Sequence, residues 1–177
     1  MHSNSSKVAN YFLDLAEKEG HSFTTLKLVK MVYIAHGWSL STLGVDILNG
    51  EQVQAWQHGP VIPSIYHEFK IFGKRPITSR ATEIEFTTVD NDPDDYSISS
   101  VIPMMDESEA EIIEVLKFVW NVYKQYSAFD LVNLTHKPDT PWSQSYSTEV
   151  RNRPIENSLI ETFYTEQVST LLSAANQ

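Results

Sequence analysis

Four of the six histidines, His36, His58, His67 and His136, are the side chains best suited to acid–base or metal chemistry, and with Glu68 or Asp130 they could form a cluster in space. Their spacing supplies no local motif for either chemistry. The run His67-Glu68-Phe69 lacks the second histidine four residues on that a helical zinc hydrolase requires. Asp90, Asp92 and Asp94 occupy alternate positions, as calcium ligands do. The sixth position of that run is Asp95, where the bend needs glycine, and the twelfth is Val101, where a bidentate glutamate should sit. An acidic turn is the reading that fits. There is no cysteine, which removes thiol nucleophiles, disulfides and cysteine zinc sites. No nucleophile elbow and no glycine-rich loop after a strand occurs, with six glycines serving the whole chain. A histidine more often ends half-buried with one ordinary hydrogen bond, so neither cofactor nor metal is assigned and no enzyme is expected.

Charge is distributed unevenly. The formal net charge of -10 weighs against a large phosphate-binding surface. Up to Arg80 there are eight Lys/Arg and six Asp/Glu, whereas Ala81 to Leu116 holds eleven Asp/Glu and no Lys or Arg. That block reads as a solvated loop and helix face, or more sharply as an acidic face that steers a basic partner. Lys27 and Lys30, three apart and near Lys7 and Lys18, suggest a mild basic strip. Solvated helix edges explain it better than a nucleic-acid site.

The elements that must position these groups are mostly helical. Val8, Tyr11, Phe12, Leu15 and Ala16 recur at helical spacing up to Glu19, with Gly20 placed to stop the helix. From Thr24 or Thr25 as cap, a second helix is apolar on so much of its circumference that it should be central, and Gly44 closes it. Asn49-Gly50 marks a turn before a strand-like run from Glu51 to Gln57. Pro63 then fits the first turn of a helix reaching Phe72. Glu83 to Val89 and Tyr96 to Ile102 alternate as a small exposed hairpin would. Asp106 with Glu109 begins a further helix as a capping box and carries Leu116, Val119 and Trp120 as a second pillar of the core. Ser127 caps a short helix, Thr140-Pro141 starts another, and Ile160 to Leu171 stripe a C-terminal one. The expectation is a mainly α fold, one compact helical domain over 1–177 of six to seven helices with a short strand or small hairpin. At 177 residues and 41% hydrophobic the chain can bury one core. No run of about 18 apolar residues occurs, and the start is polar, so a soluble cytoplasmic protein is expected.

Gln54 to Gly73, QAWQHGPVIPSIYHEFKIFG, joins the strand-like run to a helix through His58-Gly59-Pro60. A turn that stiff, flanked by Trp56 and Tyr66, suits docking better than reaction. Trp120 reads as core; Trp56 and Trp142, beside turns or prolines, read as half-exposed anchors of the kind found at interfaces.

LKLVKMVYIAHGWSLSTLG, then EQVQAWQHGPVIPSIYHEFKIFG, then LTHKPDTPW together resemble the Panacea-domain family, which includes SocA-like antitoxins and phage-associated GepA-like proteins. The likeness runs from roughly Val8 to Phe163, and its three motifs map onto Leu26 to Tyr33, Ala55 to Val61 and Leu134 to Trp142. His58 departs from the pattern, which commonly carries tyrosine before Gly-Pro. Residues 78–105 lie outside the motifs and read as a variable acidic loop or hairpin insertion. The resemblance implies a helical antitoxin that neutralises a cognate, nearby-encoded protein toxin by direct binding. The candidate contacts are Trp56, His58, Gly59, Pro60, Tyr66 and Trp142, with an acidic surface at Asp90, Asp92, Asp94 and Asp95. Homo-oligomerisation is left open, a nucleic-acid partner is disfavoured, and no membrane is implied. The alternatives are a prophage-associated transcriptional regulator, with Lys27 and Lys30 on its basic helix, or an enzyme built on the histidines.

Overall fold

The Thr24 hydroxyl accepts the Lys27 amide at 3.3 Å, and Gly44 takes φ 66° at the far end. Between these caps runs α2 (Thr25–Leu43), in which every residue from Lys27 to Leu40 is buried. A helix apolar on all sides needs neighbours on all sides. In this computed structural model, which describes residues 4–88 and 96–175, they are α1 (Ser5–Glu19), α3 (Pro63–Phe69), α4 (Ala110–Tyr123), α5 (Ala128–Thr135) and α7 (Asn157–Ala175). With the single turn of α6 (Pro141–Ser145) these make a mainly helical fold. Contact with α7 is close at Gly37, where a Cβ would lie 2.2 Å from the Tyr164 ring.

Ser127 caps α5 and Thr140 with Pro141 starts α6, as the sequence indicates. Asn4 caps α1 and Asp130 completes the capping box of α5, two signals that the sequence reading passed over. Asp106 and Glu109 form their capping box over a 3-10 turn, Glu107–Glu109, that leads into α4. On α4 Leu116, Val119 and Trp120 are buried, and α7 contributes Ile160 and Tyr164. Among the described residues no helix is long and apolar enough to cross a membrane.

Among the described residues five short strands complete the fold. β1 (Val53–Trp56) is the middle of a three-stranded antiparallel sheet, between β2 (Gly59–Val61) and β5 (Arg153–Ile155). The Gln54 to Gly73 segment therefore does not pass directly from strand to helix. It first folds back, with Trp56 opposite Gly59 and Ala55 opposite Pro60. Three residues including a proline carry no alternation to read, and β2 tolerates Pro60 because it is an edge strand. β5 is equally short and pairs Ile155 with Val53. The expected second hairpin is β3 (Glu83–Thr88) with β4 (Tyr96–Val101). Asp90, Asp92, Asp94 and Asp95 lie outside the described residues.

The hairpin is fastened at its base. Buried Asn10 on α1 accepts the Ala81 amide at 2.8 Å and donates to the Ala81 and Pro103 carbonyls at 3.0 Å. Lys7 pairs with buried Glu109 at 2.8 Å, and Arg80 bonds Asp14 at 2.6 Å.

Candidate functional site

Lys30 lies midway along α2, 0% exposed, with its ammonium nitrogen 2.8 Å from the Pro60 carbonyl oxygen. Burial pushes this amine down to about 7, because a charge there has exchanged water for a single carbonyl. The Gly59 backbone lies directly against it. At φ 99° Gly59 adopts a conformation that side-chain-bearing residues avoid, and a Cβ would lie 2.5 Å from the Lys30 nitrogen and 3.0 Å from Thr135 Oγ1. Gln57 and His58 keep negative φ ahead of it, in the two-residue turn that sets Trp56 opposite Gly59. Two independent demands, the turn and the lysine, thus fall on one glycine.

The third motif meets the first two here. Trp142 donates its indole N–H to the Trp56 carbonyl at 2.7 Å. His136 sets Nε2 3.3 Å from the Gln57 carbonyl and Nδ1 2.7 Å from that of Val132, and its ring lies 3.7 Å from Trp142. Thr140 returns a hydroxyl bond to the Thr135 carbonyl at 2.9 Å, which folds the Pro-Asp-Thr-Pro segment under the turn. Lys30, Gly59-Pro60 and Thr135 to Trp142 therefore form one hydrogen-bonded corner, although up to 112 positions separate them in the chain.

Gly59 and Pro60 are buried within this corner, while Trp56, Tyr66 and Trp142 are half-buried and His58 is exposed. Trp56 is held in place by an indole bond to Gln54 at 2.9 Å and an edge contact with Tyr66 at 4.9 Å. It forms a ridge between two clefts. One, of about 490 Å³, has Leu26, Val29 and Val61 among its lining residues, with His58, Lys70 and Lys74 also on its walls. The other, of about 560 Å³, runs from Trp56 and Gln57 to Tyr146, Arg151 and Asn152. An apolar ridge between clefts with cationic walls can seat side chains of a partner. It offers no convergent set of acids, bases or nucleophiles.

The basic strip expected on α2 is absent from the surface. Lys27 is 9% exposed, donates to the Lys124 carbonyl at 2.6 Å and sits 4.6 Å over the Phe23 ring, and burial lowers its pKa. Lys30 is buried outright. A helix surrounded by neighbours has no solvated edge on which lysines could stand, so the DNA-reading face assigned to it does not exist. The histidines are dispersed. His36 is buried, hydrogen-bonded through Nε2 to Asn157 at 2.9 Å, and its pKa is lowered chiefly by burial. His136 belongs to the corner, His58 to the hairpin tip and His67 to α3. Asp130 is engaged in its capping box, which lowers its pKa through the bonds to Ser127. Among the described residues no three His, Asp or Glu side chains gather to hold a metal. Gln57, Lys70, Lys74 and Tyr146 were not singled out by the sequence, because nothing local marks a residue that only tertiary folding brings beside Trp56.

The family profile described as antitoxin SocA-like, Panacea domain, matches residues 28–143. Antitoxin SocA of Caulobacter vibrioides (strain NA1000 / CB15N) is 30% identical over 135 residues, covering 76% of this chain and 66% of that relative. No solved structure gives a significant match.

Proposed function

The chain belongs to the SocA-like antitoxin family with a Panacea domain, and from that premise we propose that it is the antitoxin of a toxin–antitoxin pair, binding its toxin directly. The observation that carries this reading is the convergence of the three family motifs on one corner that leaves Trp56, Tyr66 and His58 facing outward. Half-buried tryptophan and tyrosine beside a rigid turn, here at the end of β1 and on α3, are side chains of the kind that anchor protein interfaces. Trp142 acts from beneath by fixing the Trp56 carbonyl, and Gly59 and Pro60 act by building the turn. The partner is a protein toxin encoded nearby, with its apolar side chains seated on either side of Trp56.

Co-expression with the product of the neighbouring gene tests the proposal. That product alone should arrest growth, the pair should grow, and the two proteins should co-purify. A harmless neighbour, or one that stays toxic beside this protein, overturns it.

A further inference from the structure

β3 and β4 form a two-stranded sheet of their own. Phe86 lies opposite Ile98, Ile84 opposite Ser100 and Thr88 opposite Tyr96. Alternation along the strands puts Ile84, Phe86, Tyr96 and Ile98 on one face and Glu83, Glu85, Thr87, Ser97 and Ser99 on the other. The hairpin is thus amphipathic, yet its apolar face is open to solvent: Ile84 is 66%, Phe86 68%, Tyr96 56% and Ile98 62% exposed. Single exposed hydrophobics need no explanation, but four on one face of one hairpin do. Two strands alone are marginally stable in water unless their apolar face packs on something. Here the base is held by Asn10, and by the bond from Asn4 to Glu83 at 2.8 Å, while the apolar face is left uncovered. The strands have the pattern of a buried sheet, and among the described residues no layer packs on that face.

We propose that this face is a second contact surface for the toxin, covered in the complex by an apolar patch rimmed with Lys and Arg. The charge selects that occupant. Residues 81–102, which contain both strands, carry six acidic residues and no Lys or Arg, with Glu83 and Glu85 among them on the face opposite the apolar one. A second copy of the chain would bring two such segments together and concentrate like charge, whereas a basic rim would neutralise it. The inference rests on the antitoxin reading, but not on the Trp56 corner, and the two surfaces can be tested apart.

The probe is the neighbouring gene product, titrated against the full chain and against a variant carrying Ile84→Ser, Phe86→Ser and Ile98→Ser. These side chains lie outside the core, so thermal unfolding of the variant should match that of the parent. A second variant with residues 83–101 replaced by two glycines keeps Ala81 and Pro103 for Asn10 and removes the arm altogether. Both variants should bind at least about tenfold more weakly. Raising the salt from about 0.05 to 0.5 M should weaken the parent complex more than that of the shortened chain. Amide exchange in residues 83–88 and 96–101 should slow when the complex forms. Full affinity in both variants overturns the arm as a contact. A parent dimer that the serine substitutions dissociate overturns the choice of toxin over a second copy. A parent that fails to bind the neighbour at all refutes the antitoxin pairing itself, an outcome distinct from the other two.

Discussion

Replacing Lys30 by methionine should remove most of the rise in stability that the parent shows between pH 7 and 9. The amine is 0% exposed and burial holds its pKa at about 7 instead of 10.5. Protonating it in the fold is therefore harder than in the open chain by about 5 kcal/mol, at 1.36 kcal/mol for each tenfold change. Above pH 7 the open chain keeps a proton that the fold has released, so the unfolded state binds more protons and stability rises with pH. Below pH 7 both states are protonated and the full cost is present. Integrated from pH 7 to 9, this one group contributes roughly 2 kcal/mol. Methionine has similar length and no titration, so its curve over that window should be nearly flat apart from the smaller contribution of Lys27, whose pKa is lowered in the same direction. His36, also lowered, acts below pH 6.5 and leaves the window clear. Losing the bond to Pro60 shifts the whole curve by about 1–3 kcal/mol without changing its slope. Urea unfolding at half-unit intervals of pH gives both quantities. Parallel curves for parent and variant would show that Lys30 does not change its proton affinity on folding, and the account of the corner's buried amine would be wrong.

Gly59→Ala should cost roughly 2–4 kcal/mol in denaturant unfolding, from positive φ and from overlap with Lys30, and the loss should shrink in the Lys30→Met background. An unchanged midpoint would mean that the turn does not need glycine. Gly37→Ala places a methyl 2.2 Å from the Tyr164 ring and should lower the melting temperature, although alanine is by itself the better helix residue by about 1 kcal/mol. A rise in melting temperature would refute the close α2–α7 packing. Tyr66→Ala should weaken toxin binding at least about tenfold while costing only about 1–2 kcal/mol of stability, and isothermal titration beside thermal unfolding separates the two. Undiminished affinity would remove Tyr66 from the interface.

Most of the helical frame is legible in the sequence because each boundary carries its own chemistry. Thr24, Ser127 and Thr140 accept amides at N-termini, and Gly20 and Gly44 take left-handed conformations at C-termini, whereas Asn4, the cap of α1, was not read. The hairpin at Glu83 to Val101 is legible for a similar reason, since its alternation is intact. β2 and β5 escape notice because three residues are too few to show a period and because β1 recruits both from later in the chain, one adjacent to it and one far off. The lysines of α2 mislead for a more instructive reason. Charge suggests solvent, but a helix with buried residues at every position from Lys27 to Leu40 has none to offer, and each lysine instead bonds a carbonyl from another element. The helix's apolar circumference was the signal that should have overruled its charge. Of the six candidate contacts, Trp56, His58, Tyr66 and Trp142 retain exposed or half-buried surface, whereas Gly59 and Pro60 are spent in the turn.

The two proposed surfaces differ in when their order is acquired. At the corner, Trp56 is fixed before any partner arrives: its carbonyl is bonded by Trp142, its indole by Gln54, and the strand beside it by Lys30 through Pro60. The entropy of arranging that ridge is lost on folding, so a binding partner gains its contacts without meeting that cost again. The β3–β4 arm is the opposite case. Its base is clamped by Asn10, but among the described residues no layer packs on its apolar face, so in the proposed complex part of its ordering falls to the partner. A rigid, preformed corner suits the anchoring contact of the proposed complex. In the proposed complex, an acidic arm held at its base suits discrimination between one toxin and the next, because a wrong partner would leave its apolar face uncovered and its like charges unneutralised.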